Sequence, residues 1–283
     1  MLACVDRILV AVNDLGKAAE TYAALLGTEQ RSASRSGALG ARRLLLALGA
    51  SEIELLEPES AGPVRAFLDR WGEGLFAAGL ASRDLPSLLD RLTSRGVRIT
   101  RDGEQAHIAP EETRGLRIVL TPFRAHQGPG SGPVKHLYEV TNMVTDAQAA
   151  AARYADVFSL EPSRFSPIAS DAFGYTGSLL LFDPPEHLDR IELAQVVDPA
   201  SAMGRFVAKR GESLYMCFVE ADETRAVVER LDARGARWTQ APGEMRAEHL
   251  FIHPSALHGV LMGVSRTNHA WVWSGRPELA GIA

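Results

Sequence analysis

The nine residues Leu92-Thr93-Ser94-Arg95-Gly96-Val97-Arg98-Ile99-Thr100 return 139 positions later as Leu231-Asp232-Ala233-Arg234-Gly235-Ala236-Arg237-Trp238-Thr239. The same spacing relates Gly72-Glu73-Gly74-Leu75 to Gly211-Glu212-Ser213-Leu214. Working outward, Tyr22-Ala23-Ala24-Leu25-Leu26-Gly27 has a looser echo in Tyr154-Ala155-Asp156-Val157-Phe158-Ser159. Ile108-Ala109-Pro110 with Gly115 is echoed by Ile252-His253-Pro254 with Gly259, at a spacing of 144. Self-similarity of this kind marks a repeated architecture, so the chain reads as two similar halves in tandem. Their joint falls at 124–133, where His126-Gln127-Gly128-Pro129-Gly130-Ser131-Gly132-Pro133 is rich in turn formers.

A second rhythm runs inside each half. A strand-like run at 5–12 is followed by Asp14, an N-cap for a helix through about Leu26, along which Ala18, Tyr22, Leu25 and Leu26 recur at helical spacing. Strand-like runs follow at 43–48 and 52–56, then at 75–81, and a helix from about Leu85 stops at Gly96, a suitable C-cap. Two more strands are predicted near 106–108 and 116–120. The second half repeats the order: strand 134–142, helix 145–157, strands 177–182 and 188–196, strand 213–220, helix 222–234, and strands near 247–252 and 259–264. One strand, one helix and three strands, four times over, is an α+β chain of tandem βαβββ modules.

Composition narrows the function classes. Of 283 residues 46% are hydrophobic, enough for a sizeable core. A net charge of −5 argues against a nucleic-acid or anionic-membrane partner, either of which wants a concentrated basic face. No apolar run approaches the roughly 20 residues of a membrane span, and the N-terminus enters a strand at once without a signal peptide's regions. The two cysteines, Cys4 and Cys217, lie in separate strand-like runs and read as two buried thiols of a soluble, cytoplasmic protein.

The opening Val5-Asp6-Arg7-Ile8-Leu9-Val10-Ala11-Val12-Asn13-Asp14-Leu15, the strand Ile53-Glu54-Leu55-Leu56-Glu57-Pro58, the two Gly-Glu-X-Leu segments and Phe251-Ile252-His253-Pro254 with His258-Gly259-Val260 together resemble the vicinal-oxygen-chelate superfamily of glyoxalases, bleomycin-resistance proteins and extradiol dioxygenases. The resemblance implies four modules forming two cup-shaped curved sheets: an N-terminal domain at 1–123, a linker at 124–133, a C-terminal domain at 134–266 and a tail at 267–283. It also implies an active site inside a cup, where up to four His, Glu or Gln side chains bind one divalent metal that polarises a substrate oxygen.

On that template the N-terminal half offers Arg7, Glu54, Ala77 and Ile118 or Val119, with one carboxylate among them; Arg7 and Glu54 are expected to pair with each other. The C-terminal half offers His136, Glu192, Met216 (or Tyr215 one residue out of register) and Gly263. His136 and Glu192 are therefore the expected catalytic pair and the expected metal ligands, an incomplete set for Mn, Fe, Co, Ni or Zn; a metal-free pair is the other reading. Strand alternation adds Tyr138 and Val140 beside His136, Arg190 and Ala194 beside Glu192, Leu214 and Phe218 beside Met216, and Leu261 beside Gly263. Tyr138, Arg190, Ala194, Tyr215, Met216, Phe218, Leu261 and Gly263 are the expected substrate-binding lining, with Gly263 leaving room for the substrate. His253 and His258 read as hairpin residues, and His269, Trp271 and Trp273 of the tail as an edge cover or a lid.

Two functions follow from the resemblance. The first is a glyoxalase- or epimerase-like enzyme moving a proton on a carbonyl compound by isomerase or lyase chemistry. The second is a non-catalytic small-molecule-sequestering protein of the bleomycin-resistance type. Ring cleavage is disfavoured, because it would need a second His and a further Glu. A homodimer through exposed edge strands is left open.

Overall fold

The computed structural model describes residues 1–124, 132–183, 188–240, 249–266 and 269–280; most of the predicted joint therefore lies outside the described residues. In chain order the N-terminal half holds β1 (Leu2–Ala11), α1 (Leu15–Leu26), β2 (Glu29–Ser36), β3 (Ala41–Leu48), β4 (Ser51–Pro58), α2 (Pro63–Trp71), β5 (Gly74–Ser82), α3 (Leu85–Ser94), β6 (Ile99–Asp102), β7 (Gln105–Ile108) and β8 (Ile118–Pro122). The C-terminal half holds β9 (Val134–Met143), α4 (Ala147–Phe158), β10 (Ser166–Ser170), β11 (Tyr175–Leu181), β12 (Arg190–Val196), α5 (Ala202–Arg210), β13 (Ser213–Ala221), α6 (Thr224–Ala233), β14 (Trp238–Gln240), β15 (His249–Ile252) and β16 (Leu261–Arg266). Each half is a curved eight-stranded sheet. The orders β2-β3-β4-β1-β5-β8-β7-β6 and β10-β11-β12-β9-β13-β16-β15-β14 are the same topology written twice.

The predicted cap Asp14 accepts from the Lys17 amide, and Asp146 takes the same place in the second half, accepting from the Ala149 amide; both satisfy amide groups that the first helical turn leaves unpaired. The helix-facing sides of both sheets and their helices join in one apolar core, with Ile8, Val10 and Tyr22 beside Val140, Tyr154 and Val219. The opposite faces form the cups. In each half a short helix between the two modules, α2 or α5, packs into the cup with its apolar stripe: Val64 and Leu68 against Leu9, Leu56 and Phe76, and Met203 against Met143 and Ala194.

The halves meet through their repeated motifs. Glu73 accepts the Asn13 amide and lies 2.8 Å from His258 of the other half, while Glu212 accepts the Thr145 amide and lies 3.7 Å from Arg114 of the other half. Tyr22 donates to the Leu257 carbonyl and Tyr154 to the Thr113 carbonyl. His258 is thus an interface residue, and His253 caps its own turn through Ser255.

Candidate active site in the C-terminal cup

A β-bulge sets which side chains enter each cup. Where β9 pairs with β13, the register jumps from Glu139↔Phe218 to Leu137↔Val219, and where β1 pairs with β5 it jumps from Arg7↔Gly79 to Val5↔Leu80. Such a bulge sets two residues against one and resets the alternation beyond it. Tyr138 and Glu139 therefore both face the cup, followed by Thr141 and Met143, while Val140 turns to the helices. The expectation that Val140 points inward is corrected. A second jump between Leu214 and Met216 puts both Tyr215 and Met216 on the cup face and sends Leu214 to the helix side, against expectation.

The bulge also reassigns the first-strand position. Arg7 pairs with Glu52 across β1–β4, and Glu139 pairs with Arg190 across β9–β12. Glu139, not His136, is the counterpart of Arg7. The two cups carry the same ion pair with its charges exchanged: Arg7 Nη2 lies 2.9 Å from Glu52, and Glu139 lies 2.7 Å from Arg190 Nε. In the N-terminal cup Arg7 also contacts Glu54 at 3.5 Å, as expected, and Arg43 and Gln105 complete the ring around Glu54.

In the C-terminal cup Arg190 has no exposed surface. It donates to Glu139 and, at 2.6 Å, to the hydroxyl of Ser274 in the tail, with its guanidinium 5.2 Å from the Tyr138 ring centre. Glu192 accepts from Thr141 at 2.7 Å, and Thr141 also reaches Glu139 at 3.3 Å. Burial, and then the neighbouring Glu139 charge, push the Glu192 carboxyl up to about 8. It therefore favours its protonated form at neutral pH, beside Glu139 on its arginine. The Tyr175 hydroxyl also faces Glu192, and two buried polar atoms of the cup, Arg190 Nη2 and His249 Nδ1, have no hydrogen-bond partner among the described residues.

The other expected residues divide. Arg190, Glu192, Ala194, Tyr138, Tyr215, Met216, Phe218 and Leu261 all face the cup. His136 faces it too, but its imidazole lies 3.3 Å from Glu220, so the expected His136–Glu192 pair is not what the fold assembles. Gly263 does not leave room for substrate. A Cβ there would run into the Phe218 ring, which occupies the space. The tail is more than an edge cover: Ala270 and Trp271 are buried in the apolar cluster with Tyr138, Leu179, Met216 and Phe218, and Trp273 packs against it. Glu139, Thr141, His249 and Ser274 escaped the sequence reading. The 132-residue spacing of Tyr22 and Tyr154 was the signal that aligns Arg7 with Glu139. Cys4 and Cys217 are free thiols.

The expected metal does not suit these residues. The four template positions supply Glu139, Glu192, Met216 and Gly263; Arg190 already neutralises the first, and Phe218 fills the space at the last. Among the described residues no three His, Cys, Asp or Glu side chains are grouped to hold a metal ion. No helix of the described residues is long and apolar enough to cross a membrane.

Residues 6–114 match the family described as the Glyoxalase/Bleomycin resistance protein/Dioxygenase superfamily. Among solved structures the chain is similar to a triple mutant of 4-hydroxymandelate synthase from Streptomyces coelicolor, with 14% identity, a TM-score of 0.73, and coverage of 94% of this chain and 93% of that one. It is also similar to a xylose isomerase-like TIM barrel/4-hydroxyphenylpyruvate dioxygenase fusion protein, with 14% identity, a TM-score of 0.65, and coverage of 99% of this chain and 53% of that one. Methylmalonyl-CoA epimerase from Mycobacterium tuberculosis matches 48% of this chain and 90% of its own at 25% identity, with a TM-score of 0.42. No curated protein matches the chain. The first two likenesses establish the fold and carry no more than that.

Proposed function

For this member of the vicinal-oxygen-chelate superfamily, we propose a small-molecule enzyme whose C-terminal cup moves a proton on a carbonyl compound. Glu192 and Glu139 do the work that the sequence alone assigns to His136 and Glu192. One observation carries the reading: two buried carboxyls, Glu139 and Glu192, share Thr141 in a cup that also presents an unsatisfied arginine nitrogen, and burial raises the proton affinity of Glu192. Such a pair gives a proton at one atom of a ligand and takes one at another. That is what interconversion of a carbonyl compound through its enol requires. The free nitrogen of Arg190 suits the carbonyl or carboxylate oxygen of that compound. Substrate entry requires the tail to leave the cup, because Trp271 and Ser274 stand where a ligand would. The division at 124–133 into an N-terminal structural domain and an active C-terminal domain belongs to the same proposal.

The test is hydrogen exchange at the carbon adjacent to the keto group of a panel of 2-oxo and 3-oxo acids in D2O, followed by NMR. Catalysed exchange that Glu192→Gln reduces at least about 100-fold supports the enzyme, since removing one acid–base group typically costs 10²–10⁴-fold. The sequestering alternative is favoured by the apolar side of the cup, where Phe218, Met216 and Trp271 cluster. Saturable binding of a panel compound with no exchange in the wild-type protein would select it.

A further inference from the structure

A cleft of about 890 Å³ opens between the two halves, and none of the polar residues of the C-terminal cup lines it. Its walls are α2, the C-terminal end of α5 and the turn before β8, and they bring five arginines together in a chain of net charge −5. Two of the five have acidic partners: Arg114 lies 3.7 Å from Glu212 and Arg153 lies 3.9 Å from Asp156. The side chains of the other three, Arg70, Arg117 and Arg210, have no hydrogen bond or ion pair recorded among the described residues. Each rests on an aromatic face instead. Arg70 is 4.5 Å over Trp71, Arg117 is 4.7 Å over Phe76, and Arg210 is 4.9 Å over Trp71.

Stacking of this kind fixes a guanidinium plane without using its N–H donors. Arg117 and Arg210 are half-buried, and burial lowers the proton affinity of both. Glu111 acts on Arg117 only through its field, with no ion pair formed, and Arg210 has no acid acting on it; a partly desolvated cation so placed favours an anion beside it. Of the acids at the cleft, Glu112 is bound to Arg98 and Glu212 to Arg114, which leaves Glu111 against three free guanidinium groups. The volume is that of a small-molecule site and much larger than a single inorganic ion needs.

We propose that this cleft binds a small organic anion through its carboxylate or phosphate groups, clamped by Arg70, Arg117 and Arg210. The site is independent of the cup chemistry, and its ends belong to different halves of the chain.

Isothermal titration calorimetry with citrate and with inorganic pyrophosphate, at low and raised salt, tests it. The expected result is saturable, salt-weakened binding of at least one probe. Arg117→Gln and Arg210→Gln should each weaken it about tenfold or more, because each removes charge-assisted hydrogen bonds, while Glu192→Gln should leave it unchanged. Binding of citrate alone assigns the site to carboxylates, and of pyrophosphate alone to phosphates. Failure of both probes to saturate would overturn the proposal. So would binding that neither arginine substitution alters in variants with unchanged melting profiles.

Discussion

At Glu192 a carboxyl group is buried next to another carboxylate, and this has a consequence for stability as well as for chemistry. Burial and the Glu139 charge raise its folded-state affinity for a proton to a pKa of about 8, against about 4.3 in an unfolded chain. Folding therefore takes up a proton. The contribution is fully present below the unfolded value and is lost as pH rises through about 8. Asp189, buried where it accepts the Val5 amide across the halves and raised to about 7, acts in the same direction. Below about 6.5 the buried His107 and His249, both lowered to about 4, act the other way, so the midpoint of urea unfolding should fall between about pH 6.5 and 8. Glu192→Gln should flatten that fall, which a denaturation series in steps of one pH unit would read directly. A Glu192→Gln curve superimposable on the wild type would mean that the carboxyl is ionised in the folded protein.

At the scale of elements, the tail and the cup are one packing unit. Trp271 is 4% exposed and lies among the cup's own side chains, and Ser274 takes a hydrogen bond from the buried Arg190. Ending the chain at Arg266 removes both. The truncated protein should remain folded, because the sheet ladders and the shared apolar core do not include the tail. It should also expose the apolar side of the cup, read as a several-fold rise in binding of an environment-sensitive dye. Exchange by the truncated protein, if the proposed chemistry holds, should reach saturation at lower substrate concentration, since the ligand no longer displaces the tail. The expectation fails if dye binding does not change.

At the scale of the molecule, the two halves are held by contacts that occur in pairs. Gly115 and Gly259 have φ of 89° and 81°, and a Cβ at either would meet the carbonyl of Glu212 or Glu73 in the opposite half. The left-handed backbone and the close approach both require glycine. Gly259→Ala should therefore destabilise the chain by about 3 kcal/mol or more, through strain and displacement of the interface, and Gly115→Ala by a similar amount. Gly96, equally left-handed but with open space around its Cα, is the control: Gly96→Ala should cost only the local strain, about 1 kcal/mol. Equal losses at all three sites, by chemical denaturation, would remove the interface from the explanation.

Much of the fold was legible because it is written in local chemistry and repeated. Asp14 and Gly96 mark helix ends, apolar runs mark the central strands, and the 139-residue echo marks the halves. β2 escaped because it is a polar edge strand, nearly all exposed, with no alternation to read. The short helices α2 and α5 escaped because nine residues give a weak period. Much of the cup's lining was legible, since the resemblance implies the positions of Glu192 and Met216, and Arg190, Tyr138 and Phe218 follow from alternation around the template positions. What the tertiary structure alone decided was the partnering. A bulge admits Tyr138 and Glu139 together, so Glu192 meets a second carboxylate and not His136. Phe218 fills the gap at Gly263, and a tail far along the chain docks on Arg190. Alternation along a strand is a property of the backbone and can be counted in the sequence. Which side chains then share a cavity depends on where a ladder slips and what packs across it, and no local pattern encodes that.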